Sequence, residues 1–233
     1  MRTFLTAAAG LSLLAAPADA ATRNFGITSF TKIRVEGPYK VSLATGVPPF
    51  AKASGSPAAL DRVAIEVQGE TLIVHANPSW GGYPGIDPGP VEVSLGTHDL
   101  TSATLFGAGS LSIDRIKGLS FGLTLQGSGA AEIGEVAADQ MNVRVEGSGS
   151  AKLAGEAKKL TALVRGVSAL NAKELSTPDA AISVDGTATV DANVTDTARV
   201  DGWGAATIRL TGAPSCAVKV SGSTSVSGCK STQ

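Results

Sequence analysis

QGSGAAEI, running from Gln126 to Ile133, is the unit that the second half of the chain repeats. Its leading glycine, Gly127, has counterparts at Gly107, Gly147, Gly166, Gly186, Gly202 and Gly222, in steps of 20, 20, 19, 20, 16 and 20 residues. Self-similarity at such a period marks a stack of like units, a solenoid. Two residues before the glycine stand Leu105, Leu125, Val145, Val164, Val184, Val200 and Val220. Four before it stand Ala103, Leu123, Val143, Ala162, Ile182, Ala198 and Val218. The column between them is mostly polar: Thr104, Thr124, Arg144, Leu163, Ser183, Arg199 and Lys219. Alternation with a period of two is what a strand with one buried face requires.

The alternation resumes beyond the glycine. Four residues on come Leu111, Ala131, Ala151, Leu170, Val190, Ala206 and Val226; six on come Ile113, Ile133, Leu153, Ala172, Ala192 and Ile208, with Gly228 ending the series. Each unit is a strand, a glycine corner, a second strand and a short return. A second small position (Gly109, Gly129, Gly149, Ser168, Ala188, Gly204 and Thr224) fits a bend crowded by the neighbouring coil. No coil can bury its apolar stripe alone, so the stack is the folding unit. The expected fold is all-β: a parallel β-helix, or β-solenoid, of roughly 20-residue coils. About seven coils at about 4.8 Å would make a stack of roughly 34 Å.

The earlier residues echo the pattern. In TKIRVEGPYKVSLATG, Ile33 and Val35 precede Gly37, and Val41 and Leu43 follow it at the repeat's offsets. Pro57 to Leu60 suits a single helical turn, and Ile65 to Ala76 alternates about Gly69-Glu70 as a hairpin would. A solenoid needs its first coil covered, and residues 21–90 are read as early coils or a β cap. The Pro/Gly-rich stretch NPSWGGYPGIDPGP, Asn77 to Pro90, is a loop. Residues 91–233 carry the strict repeats and continue one domain with 21–90. The short step before Gly202 holds ANVTDTAR, and its missing residues are expected to come from the return segment.

A formal charge of −1 offers no electrostatic case for nucleic acid or an acidic membrane. Residues 1–20 read as a signal peptide: Arg2, an apolar run from Phe4 to Ala16, and Ala18-Asp19-Ala20 as the cleavage site. The mature chain is expected to start at Ala21, outside the cytoplasm: periplasmic, at the cell surface or secreted. No later stretch is apolar enough to span a bilayer as a helix. The two cysteines, Cys216 and Cys229, both fall in the last coil. An even count in an exported chain favours a disulfide, whereas a redox pair would want CxxC spacing.

The repeated glycine corners, the opening FTKIRVEGPYKVSLATG and the late TIRLTGAPSCAVKVSGS resemble the head GIN domain family of auto-transporter adhesins. The resemblance covers Phe25 to Cys229. It implies a β-solenoid and surface attachment, with no catalytic residues to carry over. Arg165-Gly166-Val167-Ser168 and Asp185-Gly186-Thr187-Ala188 depart from it by losing the second glycine.

Residues that could carry chemistry must lie on the outward columns. The column just ahead of the glycine reads Phe106, Gln126, Glu146, Arg165, Asp185, Asp201 and Ser221. Glu146, Asp185 and Asp201 could form the carboxylate wall of a carbohydrate-active β-helix enzyme; alternating sign instead suits a solvated charge ladder. His75 and His98 are too few for a histidine-rich metal site and read as strand-end or loop residues. No P-loop, nucleophile elbow or calcium repeat is present, and no cofactor is expected. Trp80 and Tyr83 in the loop, and Trp203 at a corner, are the candidate binding residues for a glycan or protein partner; the two loop rings could equally cover the stack. Five coils, about 24 Å, would separate the loop from Trp203. The reading that follows is a non-catalytic, adhesin-like envelope protein; the enzyme and a purely structural envelope protein are the alternatives. Mass spectrometry of the exported protein is expected to find Ala21 at the N-terminus; retention of residues 1–20 would contradict export by cleavage.

Overall fold

The computed structural model describes residues 21–78 and 89–230. The signal-peptide reading, Trp80 and Tyr83 lie outside the described residues. Sixteen strands form a single continuous sheet that winds into a β-solenoid of about six turns.

Five long strands make the body: β9 (Ser110–Gly127), β10 (Ala130–Gly147), β11 (Ser150–Gly166), β12 (Ala169–Gly186) and β13 (Thr189–Gly204). Each runs from one glycine corner to the next and pairs in parallel with its neighbours. The stretch after the corner forms one wall, the stretch before the next corner forms a second, and the return joins them at shifts of register such as that between Ile133 and Val136. The two aliphatic columns ahead of the corner are buried from Leu105 through Val184, as are Leu111, Ile133, Leu153 and Val190 beyond it. The core has two further columns that the periodic reading passed over. One is Phe121, Met141, Leu160 and Ala180; the other, in the return, runs through Ile116, Val136 and Leu175.

The corners are tight because the coils meet there backbone to backbone. Ser128 N donates to Gly107 O at 3.0 Å and Ser148 N to Gly127 O at 2.8 Å. A Cβ on Gly147, whose φ is +108°, would lie 2.5 Å from Gly127 O. That position therefore excludes a side chain on both conformational and steric grounds. Where the second corner glycine is lost, Ser168 is buried, and its hydroxyl lies 3.0 Å from Gly147 O and 2.9 Å from Arg165 O.

One register differs from the expectation. Gly186 pairs with Gly204, not Gly202, and Gly204 with Gly222. The steps are therefore 20, 20, 19, 20, 18 and 18 residues. Gly204 has the positive φ of a corner, +101°, while Gly202 is buried in line with Val184. Val200 and Ala198 each move one inward place, Asp201 leaves the column next to the corner, and Trp203 enters it. Ile208 and Leu210 take the places expected for Ala206 and Ile208. The shortening does fall in the return, where β12 and β13 lose register between Ala172 and Ser176 and between Thr177 and Asp179.

The early strands stack out of chain order. β2 (Lys32–Glu36) and β3 (Lys40–Thr45), either side of Gly37, form a coil. That coil lies directly against β8 (Ser102–Gly107) on one wall and β9 on the other. Beyond it come β6 (Thr71–Ala76) against β2 and β7 (Glu92–Thr97) against β3. The end is then covered by antiparallel strands: β5 (Val63–Gln68) on β6, β4 (Phe50–Gly55) on β7, and β1 (Ala21–Phe25) on β4. The helical turn α1 (Pro57–Leu60), capped by Ser56, crosses between them with Ala59 and Leu60 buried. Residues 21–90 thus supply both early coils and a cap. At the other end, β13 is followed by β14 (Thr207–Thr211), β15 (Ser215–Gly222) and β16 (Ser225–Ser227), and Cys216 is bonded to Cys229.

Val145 is fully buried and Arg144, one residue away, is exposed. Val145→Asp would place an unpaired charge in the core and is expected to cost more than about 4 kcal/mol in denaturant unfolding. Arg144→Asp is expected to cost about 1 kcal/mol at most, because it faces water.

Candidate functional site

The outward columns are where the chain can meet another molecule, and the strands fix their spacing at about 4.8 Å per coil. Beside the corner the column reads Phe106, Gln126, Glu146, Arg165, Asp185, Trp203 and Ser221. Arg34 lies over the Phe106 ring, 5.0 Å from its centre. Glu146 accepts from Gln126 Nε2 at 3.2 Å, and its other oxygen lies 3.5 Å from Arg144 and 3.8 Å from Arg165. Its charge is thus shared among neighbours on three coils. Asp201 stands in the next outward column, between Ser183 and Lys219 in register, with Arg199 Nε 3.7 Å from its carboxylate.

The proposed carboxylate wall is therefore not assembled as expected. Glu146 and Asp185 are two coils apart, about 10 Å, with Arg165 between them. Asp201 belongs to another column because of the Gly204 register. The opposite wall carries similar ladders: Lys152 with Glu132 at 3.1 Å, and Lys173 and Arg209 on Asp191 at 3.6 and 3.5 Å. The hydrogen bond to Glu132, then its charge and that of Glu174, raise the Lys152 pKa above the ordinary lysine value. Such pairs at the surface add little to stability and keep like charges from facing each other. Among the described residues no group of three His, Cys, Asp or Glu side chains is placed to hold a metal ion.

His98 follows β7 and lines an open hollow of about 390 Å³ with Asp99, Asp114 and Arg115. Asp114 is tied to the backbone, accepting from Thr45 N at 3.0 Å and Arg115 N at 2.6 Å. His75 lies on β6 with Nε2 3.3 Å from Glu66 on β5. Both histidines serve strand ends or the cap.

Trp203 is 51% exposed, on a flat wall between Asp185 and Ser221. It is a wall residue and not the corner residue expected. Trp80 and Tyr83 belong to the connection between β6 and β7, whose ends leave the two walls one coil before Gly37. Counting coils by Gly37, Gly107 and each corner to Gly204 gives seven steps, about 34 Å between that level and Trp203. Sequence reasoning also missed the exposure of Val218 and Val220, which sit in core columns but have no described coil over them.

Residues 29–214 match the family model described as "Putative auto-transporter adhesin, head GIN domain". The chain belongs to this family. A "putative adhesin" from Bacteroides fragilis is similar to this head GIN solenoid with a TM-score of 0.78 at 18% identity, over 89% of this chain and 96% of the other. A "putative lipid binding protein" from Parabacteroides distasonis gives 0.70 at 16% identity, over 89% and 96%. A "putative adhesin" from Parabacteroides merdae gives 0.67 at 18% identity, over 89% and 95%. At these identities the likeness establishes the fold. No curated protein matches the chain.

The bridge between Cys216 and Cys229 ties the last coil across thirteen residues. Replacing both by serine is expected to lower unfolding free energy by about 2–3 kcal/mol, the loop-closure value for that length. An unchanged denaturation midpoint would show that the last coil frays independently of the stack.

Proposed function

We propose that this chain is an exported, non-catalytic, adhesin-like protein of the cell envelope that presents a rigid β wall to a polymeric glycan. The exposed Trp203 carries this reading. An indole offers a large apolar face with a polar edge, and a sugar ring stacked on it would find Asp185 beside it and Asp201 two residues back along the strand. Small outward Ser and Thr residues gain little against water. Trp80 and Tyr83, in the connection Asn77–Pro90, would offer a second contact to a polymer long enough to reach them.

Export is supported by the leader-like residues 1–20 and by a disulfide of the kind that persists in oxidising compartments. No helix among the described residues is long and apolar enough to cross a membrane. The family name and the adhesin-named neighbours support attachment over catalysis.

The test is a glycan array with the wild type, Trp203→Ala and the double variant Trp80→Ala/Tyr83→Ala. Trp203→Ala is expected to weaken binding to polymeric glycans at least tenfold, about 1.4 kcal/mol. The loop variant is expected to weaken long chains more than short ones. Binding unaffected by either variant would remove the aromatic site, and silence of the wild type on all glycans would point to a protein partner.

A further inference from the structure

The two ends of the stack are built differently. At the first end, Arg23 of β1 pairs with the buried Ala53 and so faces the core side of the edge strand. There its guanidinium donates to Leu60 O at 2.9 Å and to Asp61 at 2.7 Å. An inward charge, antiparallel edge strands and a crossing helical turn are devices that prevent a further strand from docking. Among the described residues the last coil has none of these three. Val218 and Val220 continue the columns of Val200 and Gly202, which are buried, yet are 41% and 46% exposed. β15 pairs with β13 on one edge, and no described strand pairs with its other edge.

The face is one complete coil. Residues 211–230 are drawn together by the Cys216–Cys229 bridge and by Lys230 N donating to Pro214 O at 2.9 Å. About twenty residues on each side is the size of a standard stable interface. Among them only Lys219 and Lys230 are charged.

We propose that this end of the solenoid docks a second copy of the chain, end to end about a two-fold axis, with β15 pairing antiparallel with its equivalent. Side chains alternate along a strand, so only registers that keep Cys216, Val218 and Val220 on the core side of both copies bury the exposed valines. The central such register sets Val218 on the second copy's Val218 and Val220 on the second copy's Cys216. It places Ser215 opposite Ser221 and Ala217 opposite Lys219, so that no like charges face each other directly. The blunted first end refuses a further strand, and an isologous contact closes on itself, so the product is a dimer and not a filament.

The test is sedimentation or light scattering of the mature, bridged chain across the micromolar range, at low and moderate salt. The wild type is expected to be dimeric. Val218→Glu is expected to give monomers, while Leu119→Glu, on an exposed side wall, is expected to leave the dimer intact. Ala217 is exposed, so its substitution keeps the fold and reports the register. Ala217→Lys, facing a lysine, is expected to weaken the dimer at least tenfold and to recover with salt; Ala217→Glu is expected to tighten it. A monomeric wild type would overturn the proposal. So would a dimer that ignores both Ala217 substitutions or responds with the opposite sign.

Discussion

The closeness of successive coils at the glycine corner is the constraint on which the rest depends. Val167 N reaches Gly147 O at 2.8 Å and Thr187 N reaches Gly166 O at 2.9 Å, so the chain turns at the same place in coil after coil with no room for a side chain. Turning in register forces the strands on both sides to pair in parallel with their copies. It also stacks each inward residue on its equivalent, which is why the core is a set of slender aliphatic columns and aromatic residues are few. A bulkier corner would cost a steric clash and the ladder of hydrogen bonds beyond it.

This architecture divides the labour between inward and outward positions. Inward residues are mostly aliphatic, and their volumes must fit together down each column, as where Phe121 stacks on Met141. Outward residues are free to vary within the rule that like charges do not stack, and the sequence Gln126, Glu146, Arg165, Asp185 obeys it. A ligand therefore meets a flat surface whose chemistry changes every 4.8 Å or so, suited to long partners that run along the stack. Trp203 interrupts a polar ladder with a large exposed ring, and burial of its partner's apolar face would reward contact there.

The solenoid was legible because its two signals, the glycine period and the alternation about it, are local and repeated. The hairpin about Gly69-Glu70, the turn at Pro57 and the closing disulfide were legible for similar reasons of local chemistry. The place of Trp203 was not. Gly202 and Gly204 lie two apart, and a shift of two residues preserves the alternation, so Val200 fits either aliphatic column. Only the length of the return decides between them, and that is set by pairing between β12 and β13. Stacking order was hidden too: the coil about Gly37 was visible, but nothing in a one-dimensional period says that β2 inserts between β8 and β6, and β3 between β9 and β7. The exposure of Val218 and Val220 depends on which described coils lie beside them, a property of the stack and not of their own alternation.

The most direct test is the separation of two outward positions of one column, measured by electron–electron resonance between spin labels. Thr104 and Ser183 are four coils apart in the pairing register, and Thr104 and Asp201 are five. In-register parallel stacking predicts narrow distributions, the second centred about 4.8 Å beyond the first. Broad distributions, or equal distances for the two pairs, would contradict the stack.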